Sequence, residues 1–194
     1  VLIAIELLLF EYRPRSLIPV SFAAATAAGA RIAYMEAAAV FAMPIITQPS
    51  GQALTAYIVI GAVVGVAAVL VTRTLYLIEE LFERLPLHWM WWPAIGALAV
   101  GVIGYAAPRT LGVGYANIRE ILAGQIAGTF LLVFVTLKFL SWSIALGSGT
   151  SGGTLAPLFT IGGGVGALLG TLTAQFAPSL GVDPRIAALV GMAA

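Results

Sequence analysis

The sequence has no cysteine and only one histidine, His88, among its 194 residues. Without cysteine there is no basis for a disulfide, a catalytic thiol or a thiolate metal site. One histidine gives little basis for a histidine-bound metal centre. We therefore expect no metal site. No cofactor and no enzymatic activity are expected either.

Charge is also scarce. Only 9% of the residues are charged, against roughly 25% in an ordinary soluble domain. Hydrophobic residues make up 61% of the chain, and its mean hydropathy is +1.05. These values predict an all-α, multi-pass integral membrane protein rather than a soluble domain. A net charge of +1 gives no electrostatic reason to expect nucleic acid as a partner.

Several apolar segments are separated by proline, glycine and charged residues. They cover residues 1–11, 17–29, 54–85, 94–107, 126–146 and 153–175, and another begins at 186. The segment 17–29 is short for a span, since about 20 residues cross a bilayer. The segment 54–85 is longer than a bilayer requires, so its end, which carries Glu80 and Arg84, is predicted to protrude. Both chain ends lie within apolar runs, and we expect a longer membrane protein to contain them.

Residues 147–157, GSGTSGGTLAP, form a glycine-rich run without acids between two apolar segments. Such backbone is costly at membrane depth, because no water satisfies its N–H and C=O groups unless it lines a cavity or binds something. No Asp or Glu occurs anywhere in 121–182. A helix that starts near Gly153 would direct free N–H groups and its positive dipole end at a small anion.

The candidate anion donors are backbone N–H groups of this run, assisted by hydroxyl groups. The N–H groups belong to Gly152, Gly153, Thr154 and Leu155, and the hydroxyls to Ser148, Thr150 and Ser151. Gly149, Ser151 and Pro157 are expected to support the anion path, and Pro157 lies near the first helical turn, where its missing N–H costs little. The alternative is a tight helix–helix turn whose small residues serve packing alone.

Two charged residues inside apolar segments are further candidates. Lys138 either snorkels or pairs internally, or it supports the anion path electrostatically. Glu6 either bonds within a helix interface or belongs to a proton route. The four residues 149–152 also read G-x-S-G, so an intramembrane serine protease with Ser151 as nucleophile is an alternative that needs a base within reach. A membrane scaffold without transport activity is another.

Residues 149–157, GTSGGTLAP, resemble the second anion-binding signature of the CLC chloride channel and transporter family. In that signature, a glycine-rich turn is followed by a G-x-F-x-P-type helix start. Residues 138–170 fit more widely, with a basic residue, the turn and a small-residue helix. Residues 6–19 and 111–115 are similar to a mid-chain helix junction and a loop in bacterial members. The resemblance covers essentially the whole chain.

The resemblance implies chloride contacts at the backbone N–H groups of Thr154 and Leu155. It also implies two inverted repeats, broken helices that meet at the midplane, and a homodimer in the bilayer. Residues 1–30 would form the end of the first repeat and lie at the dimer interface. Residues 31–53 would form a connector, and residues 54–194 would form most of the second repeat. The implied function is chloride transport, as a channel or a chloride/proton antiporter, in a bacterial inner membrane.

The sequence departs from the family pattern at two places. Leu155 stands where the family usually has phenylalanine, and a contact made through a backbone N–H tolerates that change. Exchangers of the family commonly carry an inner proton-transfer glutamate in the segment that matches Glu6 and Leu7. Glu6 falls beside that position and Leu7 falls on it, which implies a missing or altered inner proton relay.

Overall fold

The structure, a computed structural model, describes residues 14–34, 41, 43–46 and 48–194. These residues form helices and connecting loops, with no strand among them. The α-helices of the described residues are α1 Pro14–Tyr34, α2 Gly51–Glu83, α3 Trp92–Ala106, α4 Tyr115–Leu122, α5 Gly128–Gly147, α6 Leu155–Phe176 and α7 Pro184–Ala193. Short 3₁₀ turns occur at Trp89–Trp91, Pro108–Thr110 and Pro178–Leu180. The predicted all-α class is confirmed.

The chain divides into two compact units, residues 1–40 and 41–194. The boundary lies inside the predicted connector 31–53. In the first unit, α1 has 21 residues, and Leu17–Tyr34 is long and apolar enough to cross a membrane. The prediction of a short segment 17–29 was wrong. Gly29 and Arg31 do not end the helix, since one glycine or a basic residue in the last turn is compatible with helical backbone.

The second unit holds four more helices that are long and apolar enough to cross a membrane: Gly51–Glu83, Trp89–Ala106, Gly128–Gly147 and Leu155–Phe176. With α1, the described residues therefore contain five such segments. Their number, length and composition identify a multi-pass integral membrane protein.

Helix α2 is longer than a bilayer requires. It has 33 residues, which at about 1.5 Å per residue is about 50 Å. Its N-terminus is capped by Ser50, whose Oγ accepts a hydrogen bond from the Ala53 N–H at 3.2 Å. At the other end, Arg84 and Glu80 form the predicted i,i+4 ion pair, and both side chains are largely exposed. This charged end agrees with the predicted protrusion.

The closest helix packing joins α6 to α7. A β-carbon on Gly162 would overlap the carbonyl oxygen of Gly191, and one on Gly166 would overlap that of Ala187. The two backbones therefore touch directly, which only small residues permit. The partner of α7 could not be predicted from the sequence, because spacing shows that a helix has a small-residue face but not what covers that face.

Buried apolar side chains of α4, α5 and α6 form the main core, and this core positions the two helices that flank the glycine-rich run. It is built from Ile118, Ile121, Leu122, Leu131, Phe134, Val135 and Ile161, together with Ile126, Ala167 and Ala188. A second cluster joins α2 to α7. There the buried Tyr57 hydroxyl accepts a hydrogen bond from the Asp183 N–H at 2.8 Å.

Candidate anion-binding site

The glycine-rich run forms the turn between two membrane helices, as predicted. Helix α5 ends at Gly147 and α6 begins at Leu155. Gly149 has φ +79°, a left-handed conformation that side-chain-bearing residues rarely adopt. The chain can therefore reverse here without a wide loop, and residues 150–155 remain exposed.

Ser148 anchors the turn. Its side chain is fully buried, and its Oγ donates to the Ala145 carbonyl at 2.7 Å and lies 3.1 Å from Thr150 Oγ1. Helix α3 packs closely against it, because a β-carbon on Gly96 would overlap the Ser148 hydroxyl. The hydroxyls of Ser148 and Thr150, predicted to assist an anion, are hydrogen-bonded to each other. Ser151 remains exposed.

The first turn of α6 provides the free donors. Thr154 is the N-cap, with φ −97° and ψ −30°, and its side chain makes no capping hydrogen bond. Within the described part of the chain, no backbone carbonyl accepts from the N–H groups of Thr154, Leu155 or Ala156. Pro157, the third helical residue, has no N–H, and the Leu158 N–H donates to the Thr154 carbonyl at 3.0 Å. The free N–H groups are thus concentrated at the helix tip.

This helix start differs slightly from the prediction. The helix begins two residues after Gly153, so Gly152 and Gly153 lie in the irregular segment before it. Ala156, whose N–H is free in the same turn, was not among the predicted donors. Pro157 was the available signal, because a proline in the third helical position indicates that free donors lie in the residues before it.

Lys138 lies in the middle of α5 and is 4% exposed. Its ammonium group donates to the carbonyl oxygens of Thr110 at 2.7 Å and Gly112 at 2.9 Å. The lysine is therefore internally paired, one of the two alternatives that the sequence left open. Whether it also supports an anion path stays a prediction.

The remaining candidate residues from the sequence are Glu6, Leu7 and His88. Glu6 and Leu7 lie outside the described residues. His88 is the N-cap of the 3₁₀ turn Trp89–Trp91, where its Nδ1 accepts from the Met90 N–H at 3.4 Å. Among the described residues, no hydrogen bond links His88 to Ser151.

Comparison with known proteins identifies the family of the chain. The sequence model of the family described as "Voltage gated chloride channel" matches residues 1–194. The chain belongs to the voltage-gated chloride channel family. The prediction from the turn and helix start is confirmed at the level of the family.

The individual relatives of this chain are distant in sequence and much longer. Chloride channel protein CLC-f of Arabidopsis thaliana is 30% identical over 79% of this chain and 22% of its own length. The H(+)/Cl(-) exchange transporter ClcA of Vibrio parahaemolyticus is 26% identical over 80% of this chain and 34% of its own. ClcA of Yersinia pestis is 28% identical over 71% of this chain and 30% of its own length. The chain therefore spans about a fifth to a third of the length of these relatives.

Proposed function

We propose that the protein moves chloride or a similar small anion across a membrane. The observation that carries this proposal is the helix tip at Thr154, Leu155 and Ala156, where free N–H groups meet an acid-free turn. A helix N-terminus of this kind favours a negative charge through its dipole and its unsatisfied donors. The family membership and the names of the relatives support the same substrate class. The action proposed is transport rather than catalysis.

The mechanism proposed is partial dehydration of the anion at these backbone donors. Neutral N–H groups replace water ligands, and Pro157 limits their number. A helix terminus of this kind stabilises an exposed charge by about 0.3–1 kcal/mol and a partly buried charge by up to about 2 kcal/mol. Binding of this strength lets an ion enter and also leave, as conduction requires.

The proposal has two forms, an exchanger that couples chloride to protons and a channel that does not. The two ClcA relatives are described as H(+)/Cl(-) exchangers and the Arabidopsis relative as a chloride channel. We further propose a homodimer in a bacterial plasma membrane. The sequence resemblance supports the dimer, and the bacterial relatives support the location.

The test uses the full-length protein in liposomes, with chloride efflux and internal pH recorded together. Proton movement coupled to chloride efflux would identify an exchanger, whereas chloride efflux alone would identify a channel. No anion flux from the wild-type protein would contradict the proposal.

The role of the helix tip is tested by Thr154→Pro, which removes one donor. The glycine that precedes Thr154 tolerates the restriction that proline imposes on its neighbour. We expect chloride flux to fall about tenfold or more, since a hydrogen bond to a charged group contributes about 1.5–3 kcal/mol. Thr154→Ala is the matched control, because it keeps the N–H and the threonine side chain makes no cap bond. Equal flux in the two variants would rule out the N–H as a ligand.

A further inference from the structure

The loop that joins α3 to α4, residues 107–114, is held by side chains from other elements. We call it the connecting loop. The Arg109 carbonyl accepts from Asn117 Nδ2 at 2.9 Å, and the Thr110 and Gly112 carbonyls accept from Lys138 at 2.7 and 2.9 Å. Lys138 therefore connects a membrane-spanning helix to a loop 26–28 residues earlier in the chain.

The buried ammonium group depends on this loop. Among the described residues, no carboxylate forms an ion pair with Lys138, and the two carbonyl dipoles are its hydrogen-bond partners. Leaving a buried charge without its partners is strongly destabilising. The loop depends on the lysine in turn, because the Thr110 carbonyl would otherwise be buried without a donor. The lysine and the loop are therefore expected to hold one geometry together.

The connecting loop also reaches the helix that carries the free donors. A β-carbon on Gly114 would lie 3.3 Å from Thr160 Oγ1 and 3.9 Å from Lys138 Nζ. Thr160 is fully buried on α6, and its hydroxyl donates to the Ala156 carbonyl at 2.9 Å. Ala156 belongs to the first turn of α6. Gly114 and Thr160 thus connect the lysine-held loop to the helix tip.

We propose that Lys138 is a positioning residue for this tip. Its ammonium group acts as an internal cation that fixes the connecting loop against Thr160 and so sets the orientation of the first turn of α6. It does this without touching the anion. Lys138 lies nine residues before Gly147 on the same helix, which is about 14 Å along the axis, and two of its three hydrogens are used by carbonyls. This inference rests on the proposed function, since it assigns a cause to the geometry of the same site.

The test compares Lys138→Met, Lys138→Arg and Gly114→Ala in the full-length protein. Gly114→Ala strains the left-handed φ of +89° and presses on Thr160 without changing any charge. Gly128→Ala is the matched control, because Gly128 also has a left-handed φ, +63°, but open space around it. Chloride flux is measured in liposomes against chloride concentration, per folded molecule and at low and high concentrations of an impermeant salt.

We expect Lys138→Met and Gly114→Ala each to raise the apparent KM for chloride at least about fivefold, a typical size for coupling between sites. The double variant should be little worse than either single one, because both disturb the same contact. Lys138→Arg should restore most of the affinity, since guanidinium also donates to two carbonyls, and impermeant salt should not alter these ratios. Additive effects, or a deficit of Lys138→Met that salt abolishes, would instead indicate a direct electrostatic role and overturn the proposal.

Thr160→Val keeps the test decisive if Lys138→Met does not fold. It removes the hydroxyl that lies beside Gly114 and donates to the Ala156 carbonyl, but it preserves the shape of the side chain. We expect it to raise the KM for chloride as Gly114→Ala does. A wild-type KM in Thr160→Val would overturn the proposal, whereas an absence of chloride flux in the wild-type protein would contradict the proposed function itself.

Discussion

The direct contact between α6 and α7 predicts opposite effects for the same substitution at two glycines. At Gly166, an added β-carbon would overlap the Ala187 carbonyl oxygen and lie 3.0 Å from the Gly191 Cα. At Gly65 on α2, an added β-carbon meets nothing within 4 Å. Both glycines lie inside apolar helices, so Gly65→Ala is a matched control for Gly166→Ala.

The cost at Gly166 follows from the rigidity of its neighbour. The overlapping atoms are backbone, which has no alternative rotamer, so α7 must move away by about 1 Å to restore normal contact. A gap of that size forfeits about a quarter to a half of the dispersion energy at each remaining contact. Overpacking of this kind costs about 1–3 kcal/mol, and the gain in helix propensity from glycine to alanine, about 1 kcal/mol, offsets part of it.

Thermal unfolding of the detergent-solubilised full-length protein measures the difference. We expect Gly166→Ala to lower the apparent Tm and Gly65→Ala to leave it unchanged or raise it. Gly166→Leu should prevent folding, because a larger side chain demands a larger separation of the two helices. If Gly166→Ala and Gly65→Ala unfold at the same temperature, the two helices are not in backbone contact and the reasoning fails.

Two further predictions concern the junction of α2 with the start of α7. Tyr57→Phe removes the acceptor of the Asp183 N–H and should cost about 1–3 kcal/mol, whereas Tyr76→Phe on the exposed side of α2 should cost nothing measurable; equal Tm losses would contradict this. The hydrogen bond from Arg185 lowers the pKa of Asp183 in the folded protein. The stability that the ionised Asp183 contributes is therefore present above the pKa of the unfolded chain, near 3.9, and is lost as the pH falls through the lower pKa of the folded protein. The Tm difference between wild type and Asp183→Asn should therefore be constant near neutral pH and shrink in strong acid, and a difference independent of pH would refute the pairing.

The sequence predicted features that depend on local chemistry. Composition identified a membrane protein, and the absence of acids around a glycine-rich run located the candidate site at residues 147–157. The start of α6 was placed two residues too early, because Thr154 makes no capping hydrogen bond and glycines do not mark a boundary sharply. The length of α1 was underestimated because Gly29 was interpreted as the end of a helix that continues to Tyr34.

Contacts between distant parts of the chain could not be predicted in the same way. Lys138 was a candidate from its charge alone, but its partners are carbonyl groups of the connecting loop, and every residue type carries a carbonyl. Likewise, the glycines of α6 permit close packing, but they do not show that α7 provides the partner backbone. Sequence spacing identifies a helix face, and only the tertiary fold determines what lies against it.

The placement of charge around the helix tip bears on the proposed transport. A lysine that contacted the anion directly would add an unscreened attraction at membrane depth, where charge interactions are strong, and would slow release. Here the ammonium of Lys138 is engaged by two carbonyls, and the N–H groups that remain free belong to neutral backbone at Leu155 and Ala156. Pro157 removes one more donor from that turn. An anion at this tip would therefore meet enough donors to replace some of its water but no bare charge to hold it, and that balance is what a site of passage requires.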